Sequence, residues 1–112
     1  MIIYNKLVRD RIPEIIHREG KTCIVRKIQD VVELQTLLER KLDEEIREYL
    51  AARNAEELAD ILEVVFALGE RMGVSNDALL DLRKRKAEKR GGFQEGLFLE
   101  SVGELSDEPF LE

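Results

Sequence analysis

From Val31 to Met72 apolar residues recur at helical spacing twice over, and only Arg53-Asn54 separates the two runs. At about 100° per residue, Val31, Leu34, Leu38, Leu42, Ile46 and Tyr49 fall on one stripe of the first run. Leu58, Ile61, Val65, Leu68 and Met72 do the same in the second. So short a break makes the two helices antiparallel neighbours, and the rest of the chain must pack around that hairpin. Asp30 with Glu33 is a cap-and-acid pattern that opens the first helix, which runs to about Ala52. Asn54 with Glu57 repeats the pattern, and the second helix ends near Gly73.

The flanks are read from the same signals. Met1 to Val8 is extended or irregular, with Ile2, Ile3, Leu7 and Val8 available to cover a core edge. Asp10 is expected to cap a short helix with Pro13 in its first turn, where a missing N–H costs nothing, and Gly20 to stop it. Ser75 or Asn76 begins a last helix that reaches about Arg90 and closes at Gly91-Gly92. The β-leaning run at 21–28 is read as a strand that pairs with the weakly alternating residues 93–102 in a small β element. The expected fold is mostly α: three main helices, a short N-terminal helix and that β element. Residues 1–102 form one domain, and the acidic tail 103–112 frays.

Composition supports a single helical core. A chain of 112 residues is one domain, and 44% hydrophobic residues suffice for its interior. With 5% aromatics and no Trp, that interior is built from Leu, Ile and Val. The net charge of −6 argues against a nucleic acid polymer as partner, because a phosphate backbone needs a basic surface. A single nucleotide is still compatible, through a cation that bridges acid to phosphate. The lone Cys23 forms no intrachain disulfide, reads as a small buried hydrophobe and fits a reducing, cytoplasmic setting. No apolar run approaches the roughly 18 residues of a membrane span and no signal-peptide core follows Met1, so a soluble protein without a membrane partner is expected.

The acids of the hairpin separate by face. Glu45 projects inside the apolar stripe of the first helix and Glu48 lies on its edge, whereas Glu44 points to the opposite, wet side. In the second helix Glu57 falls within the apolar margin and Asp60 borders it, while Glu56, Glu63 and Glu70 gather on the outer face. An ionised carboxylate turned inward without a partner costs several kcal/mol or changes protonation state, so Glu45, Glu48, Glu57 and Asp60 need cations. Oxygen-only donors select Mg²⁺, Mn²⁺ or Ca²⁺ over Zn²⁺, and Mg²⁺ fits best because it keeps positions open for water and substrate phosphate. The plainer alternative is a set of helix-forming glutamates paired with Lys41 and Arg47 along one helix.

Glu44-Glu-Ile-Arg-Glu48 followed by Glu57-Leu-Ala-Asp60 resembles the EExxE and ExxD signature of the MazG-like, all-α nucleotide pyrophosphohydrolases. The opening Tyr4-Asn-Lys-Leu-Val-Arg-Asp-Arg-Ile-Pro13 is similar to the start of a phosphoribosyl-ATP pyrophosphohydrolase-like subgroup, whose last helix ends in Lys-Arg-Gly-Gly-Phe as residues 89–93 do here. The resemblance covers about residues 1–100. It implies a MazG-like helical bundle that hydrolyses a nucleoside triphosphate, or a phosphoribosyl-ATP-like nucleotide, to the monophosphate and pyrophosphate with Mg²⁺ (or Mn²⁺). Carried over by motif position, the ligands are Glu45, Glu48, Glu57 and Asp60, and Glu44 sits behind them. Among these Glu45 is favoured as the base, with Glu48 as a second catalytic carboxylate. Eight residues separate the motifs, fewer than in typical MazG proteins, so the loop that often contacts the base is missing.

Basic residues complete the set. The Leu79 and Leu82 face of the last helix continues as Arg83, Lys86, Lys89 and Arg90, and the resemblance makes Lys86, Lys89 or Arg90 the holders of the leaving pyrophosphate. Asn5, Lys6 and Arg9 are further phosphate-binding candidates. Glu14-Ile-Ile-His17 is half of a ferritin-like di-iron motif, and it fails on count because His17 is the only histidine. Three modest helices leave apolar faces to cover, so a homodimer or higher homo-oligomer is expected. The alternative from another class is a non-catalytic helical interaction or nucleotide-sensing protein whose acids hold a structural metal.

Overall fold

The Asp30 carboxylate accepts hydrogen bonds from the amides of Val32 (2.8 Å) and Glu33 (3.0 Å) and so starts α2, Val31–Ala52, where the sequence placed it. In the same way Asn54 Oδ1 accepts from Glu57 N at 3.0 Å to open α3, Ala55–Arg71. Between them Arg53 adopts a left-handed backbone, φ 53°, and its side chain donates to Leu50 O at 3.2 Å. That single residue ends one helix and lets the next begin two positions later. This computed structural model describes residues 1–106 and contains four helices among them: α1 (Ile12–Arg18), α2, α3 and α4 (Asn76–Arg90).

The helices that pack on each other are α2 and α3. Leu38 of α2 and Val64 of α3 are the buried apolar side chains among the described residues, and Leu34, Leu42, Tyr49, Ile61, Val65 and Leu68 are partly covered around them. Both expected stripes are incompletely covered: Val31, Ile46, Leu58 and Met72 are exposed. Near its end α3 carries Gly69, buried, where a Cβ would lie 3.3 Å from Leu79 Cδ2 and 3.4 Å from Val74 O. The glycine therefore lets the start of α4 fold back closely. There Ser75 Oγ accepts from Ala78 N at 3.1 Å as the cap.

Residues Met1–Leu80 form one compact unit and the chain from Asp81 onward a second. The second holds the rest of α4, which stops at Gly91 (φ 84°), and a turn closed by Gly96 N to Phe93 O at 3.2 Å. No helix among the described residues is long and apolar enough to cross a membrane.

Two expectations are corrected. No strand occurs among the described residues, so the β element at 21–28 and 93–102 is absent. Strand propensity measures how a side chain packs on a pleated neighbour, and these runs have none: Ile24 is 92% exposed, and Val25, Leu97, Phe98 and Leu99 are exposed too. Asp10 does not cap α1. Arg11 stands at that position without a side-chain cap, and Glu14 instead takes hydrogen bonds from Arg11 (2.8 Å) and Arg18 (3.1 Å), while Pro13 lies in the first turn and Gly20 turns left-handed after the last. Cys23 is free and half-buried. The expected tail from Gly103 lies partly, over residues 107–112, outside the described residues.

Candidate metal centre

A two-residue turn sets the third-last turn of α2 beside the first turn of α3, and their acids meet around Glu45. One carboxylate oxygen from each of Glu45, Glu57 and Asp60 lies within 4.8 Å of the others, and Glu44, Glu45 and Glu48 form a second such group. Glu45 belongs to both. The four residues that the projection turned inward are thus gathered, together with Glu44, as two triads that share Glu45.

Burial grades them. Glu45 is 7% exposed, Glu57 and Asp60 are half-buried, and Glu48 is exposed. Glu45 Oε2 and Glu57 Oε2 are fully shielded and accept no hydrogen bond. A buried carboxylate oxygen without a donor costs about 1–3 kcal/mol or more, so these two atoms are where a cation would be repaid most. The donors are all hard oxygens, their spacing lets two or three reach one ion, and the two orphaned oxygens face no competing donor. A hard divalent cation fits that chemistry.

Cations of the chain itself flank the acids. Lys41 Nζ lies 2.8 Å from Glu44 Oε2 and 3.3 Å from Glu45 Oε1, with its side chain only 14% exposed. Lys6 Nζ reaches the same Glu44 oxygen at 3.8 Å. Arg9 donates to Asp60 Oδ1 at 3.1 Å and stands 3.9 Å from Glu63. The electrostatic consequences differ from group to group. Burial, then the adjacent Glu48 carboxylate, push the Glu45 carboxyl above the usual range against the pull of Lys41. The Lys41 hydrogen bond, with Lys6 behind it, holds Glu44 below that range in spite of partial burial. Burial would lower the Lys41 ammonium, yet its bonds to Glu44 and Glu45 outweigh that and raise it.

The other candidates are distributed as follows. Asn5, in a left-handed conformation (φ 46°), and Lys6 line a groove of about 190 Å³ with Leu7, Leu37, Arg40, Lys41 and Glu44. Arg9 lies against α3 as described. Lys86, Lys89 and Arg90 are exposed on the last turns of α4, in the second unit. Glu44 was expected on the wet side and is instead half-buried, because Lys41 one turn earlier draws it inward. The expected helix pairing of Lys41 with the glutamates is present, Arg47 pairs with Asp43 (2.9 Å) instead, and Arg40 and Leu37 carried no expectation. The i, i+3 and i, i+4 spacing from Lys41 to Glu44 and Glu45 was the available signal.

No protein-family model and no solved structure matches the chain. Over 47 residues, 42% of its length, it is 49% identical to an uncharacterized protein of Mycolicibacterium smegmatis, and the match spans 47% of that protein, about half its length.

Proposed function

We propose that the chain is a MazG-like, Mg²⁺-dependent nucleotide pyrophosphohydrolase, acting on a nucleoside triphosphate or a phosphoribosyl-ATP-like nucleotide. The observation that carries the reading is the Glu45, Glu57 and Asp60 triad with its two shielded, unpartnered oxygens. Glu45, Glu48, Glu57 and Asp60 would hold the metal, with Glu44 beside them. Bound there, Mg²⁺ would neutralise phosphoryl oxygens and orient the triphosphate. Glu45, whose proton affinity burial has raised, suits the role of base: it takes a proton from water as that water attacks the α-phosphorus, the bond to the bridging oxygen breaks, and pyrophosphate leaves. Lys6 and Arg9 would supply charge to receive it, and the Asn5 amide a hydrogen-bond donor.

A homodimer or larger assembly belongs to the same reading. The hairpin leaves Leu50, Leu58 and Leu62 exposed, an apolar surface that a second copy would cover. The second reading, a nucleotide-sensing or structural metal site without turnover, is favoured by the ion pairs of Lys6, Arg9 and Lys41, which already balance part of the acidic charge. Incubation with a panel of nucleoside triphosphates and phosphoribosyl-ATP in Mg²⁺, with pyrophosphate as the readout, separates the two. Release that disappears in Glu45→Gln supports the enzyme. Metal binding without release from any nucleotide supports the sensor.

A further inference from the structure

Glu45 uses its two carboxylate oxygens differently. Oε1 lies 3.3 Å from Lys41 Nζ, and the same ammonium stands 2.8 Å from Glu44 Oε2. Glu45 Oε2 accepts nothing, and neither does Glu57 Oε2. The neighbours of Glu45 sort in the same way: Glu44 and Glu48 form one acid group with it, Glu57 and Asp60 the other. One group therefore already holds a cation of the chain, while the other includes both residues whose shielded oxygens lack a donor.

Lys41 is firmly held. Its side chain is 14% exposed, against 41% for Lys6 and 61% for Arg9, the other cations beside these acids. Its root lies one turn before Glu44 and Glu45, at the spacings that keep side chains of one helix face together. A divalent ion entering that group would have to expel the ammonium or sit against it, and like charges a few ångströms apart repel strongly where water is largely excluded. In the other group Arg9 touches only Asp60 of the three acids, and it does so from solvent. Charge points the same way. The two groups bring five carboxylates, and Lys6, Lys41 and Arg9 bring three positive charges, so two negative charges are left, the complement of one divalent ion.

We propose that Lys41 takes the place of a second metal ion. Its ammonium fills the cation position that Glu44, Glu45 and Glu48 would otherwise offer, and without nucleotide the acid centre holds one divalent ion, on Glu45, Glu57 and Asp60. The inference rests on the metal centre of the preceding section and narrows it. Lys41 fixes Glu45 by one oxygen and leaves the other to the ion, so it is a positioning residue as well as a counter-charge. Glu48, exposed and in the ammonium's group, is the most dispensable of the four ligands.

Mn²⁺ titration of the full chain without nucleotide tests it. Electron paramagnetic resonance counts the bound ions, and a second ion a few ångströms from the first is recognised by the broadened spectrum of a coupled pair. The parent should bind one ion per chain, uncoupled. Lys41→Met keeps the apolar stem and vacates the position, so it should bind two, as a coupled pair; a double variant with Lys6→Met serves where Lys6, 3.8 Å from Glu44 Oε2, moves in. Lys41→Arg, which restores the charge, should stay at one. Glu57→Gln should lose the parent's ion and Glu44→Gln should keep it. Circular dichroism verifies helix content, and Lys41→Gln replaces the methionine variant if that one does not fold. A parent that binds no Mn²⁺ overturns the metal centre and this inference together. A coupled pair in the parent or in Lys41→Arg, a double variant that stays at one ion, or an ion lost with Glu44→Gln and retained with Glu57→Gln, overturns the role of Lys41 and leaves the metal centre standing.

Discussion

Arg9 Nη1 donates to Asp60 Oδ1 at 3.1 Å across 51 positions of sequence, which ties the irregular N-terminal segment to the second turn of α3. Both side chains are partly in solvent, 61% and 37% exposed, so the pair is worth little as a stabiliser. Arg9→Ala should lower unfolding free energy by less than about 1 kcal/mol in a urea titration. If Asp60 is a metal ligand, the same variant should bind Mn²⁺ more tightly, because a competing cation has gone. A large loss of stability with no change in metal affinity would assign Arg9 a purely structural part.

Glu45→Gln should raise the stability of the metal-free protein, since it removes a charge whose desolvation and repulsion from Glu48 exceed the help it gets from Lys41. It should also abolish the rise in melting temperature that Mg²⁺ gives the parent. Thermal melts with and without Mg²⁺ measure both. A variant less stable than the parent without metal would show that the Lys41 contact outweighs desolvation.

Within the acid centre, two carboxyl shifts of opposite sign shape the pH profile of the metal-free protein. Glu45 has a raised folded value, so the native state holds a proton that the unfolded chain has lost, and stability falls as pH rises through the window between the ordinary carboxyl value and the raised one. Glu44 has a lowered folded value, so its contribution is complete above the ordinary value and is lost as pH falls through the lowered one. Stability should therefore peak in mildly acidic solution and decline on both sides. Saturating Mg²⁺ should move the maximum toward neutral pH, because the ion competes with the Glu45 proton. Chemical denaturation across pH, with and without the metal, traces both curves.

Leu58 and Leu62 lie one turn apart on α3 and are both exposed, 51% and 46%. If a second copy covers them, Leu58→Glu with Leu62→Glu should convert the assembly to monomer on size-exclusion chromatography with light scattering, while circular dichroism keeps the helical signal. A parent that already elutes as a monomer at micromolar concentration would remove the oligomer from the proposal.

The hairpin was legible because its determinants are local. Caps at Asp30 and Asn54 act on amides two or three residues away, and both were found where the polar-then-acidic spacing put them. Glu45 was legible for the same reason, as an acid out of place on an apolar stripe. Glu44 was misjudged because helical projection gives a direction and not a reach: a lysine one turn earlier holds it inward. The expected strand failed because pairing is a property of two segments, and propensity describes one. The groove was invisible in sequence because it joins Asn5 and Lys6 to Arg40 and Lys41, a contact that no periodicity encodes.

The left-handed residue Arg53 bears on time as well as shape. By closing α2 onto α3 with almost no loop, it makes the contact between Glu45 and Asp60 far more local in sequence than that between Arg9 and Asp60, and more local contacts close faster. The acids are then brought together before the long-range contact from Arg9 can shield them, so the nascent hairpin meets its own electrostatic repulsion first. Lys41, on the same helix as Glu44 and Glu45, is the counter-charge already present at that moment. Divalent cation supplied during refolding should accordingly accelerate formation of the hairpin, and not merely stabilise it once formed.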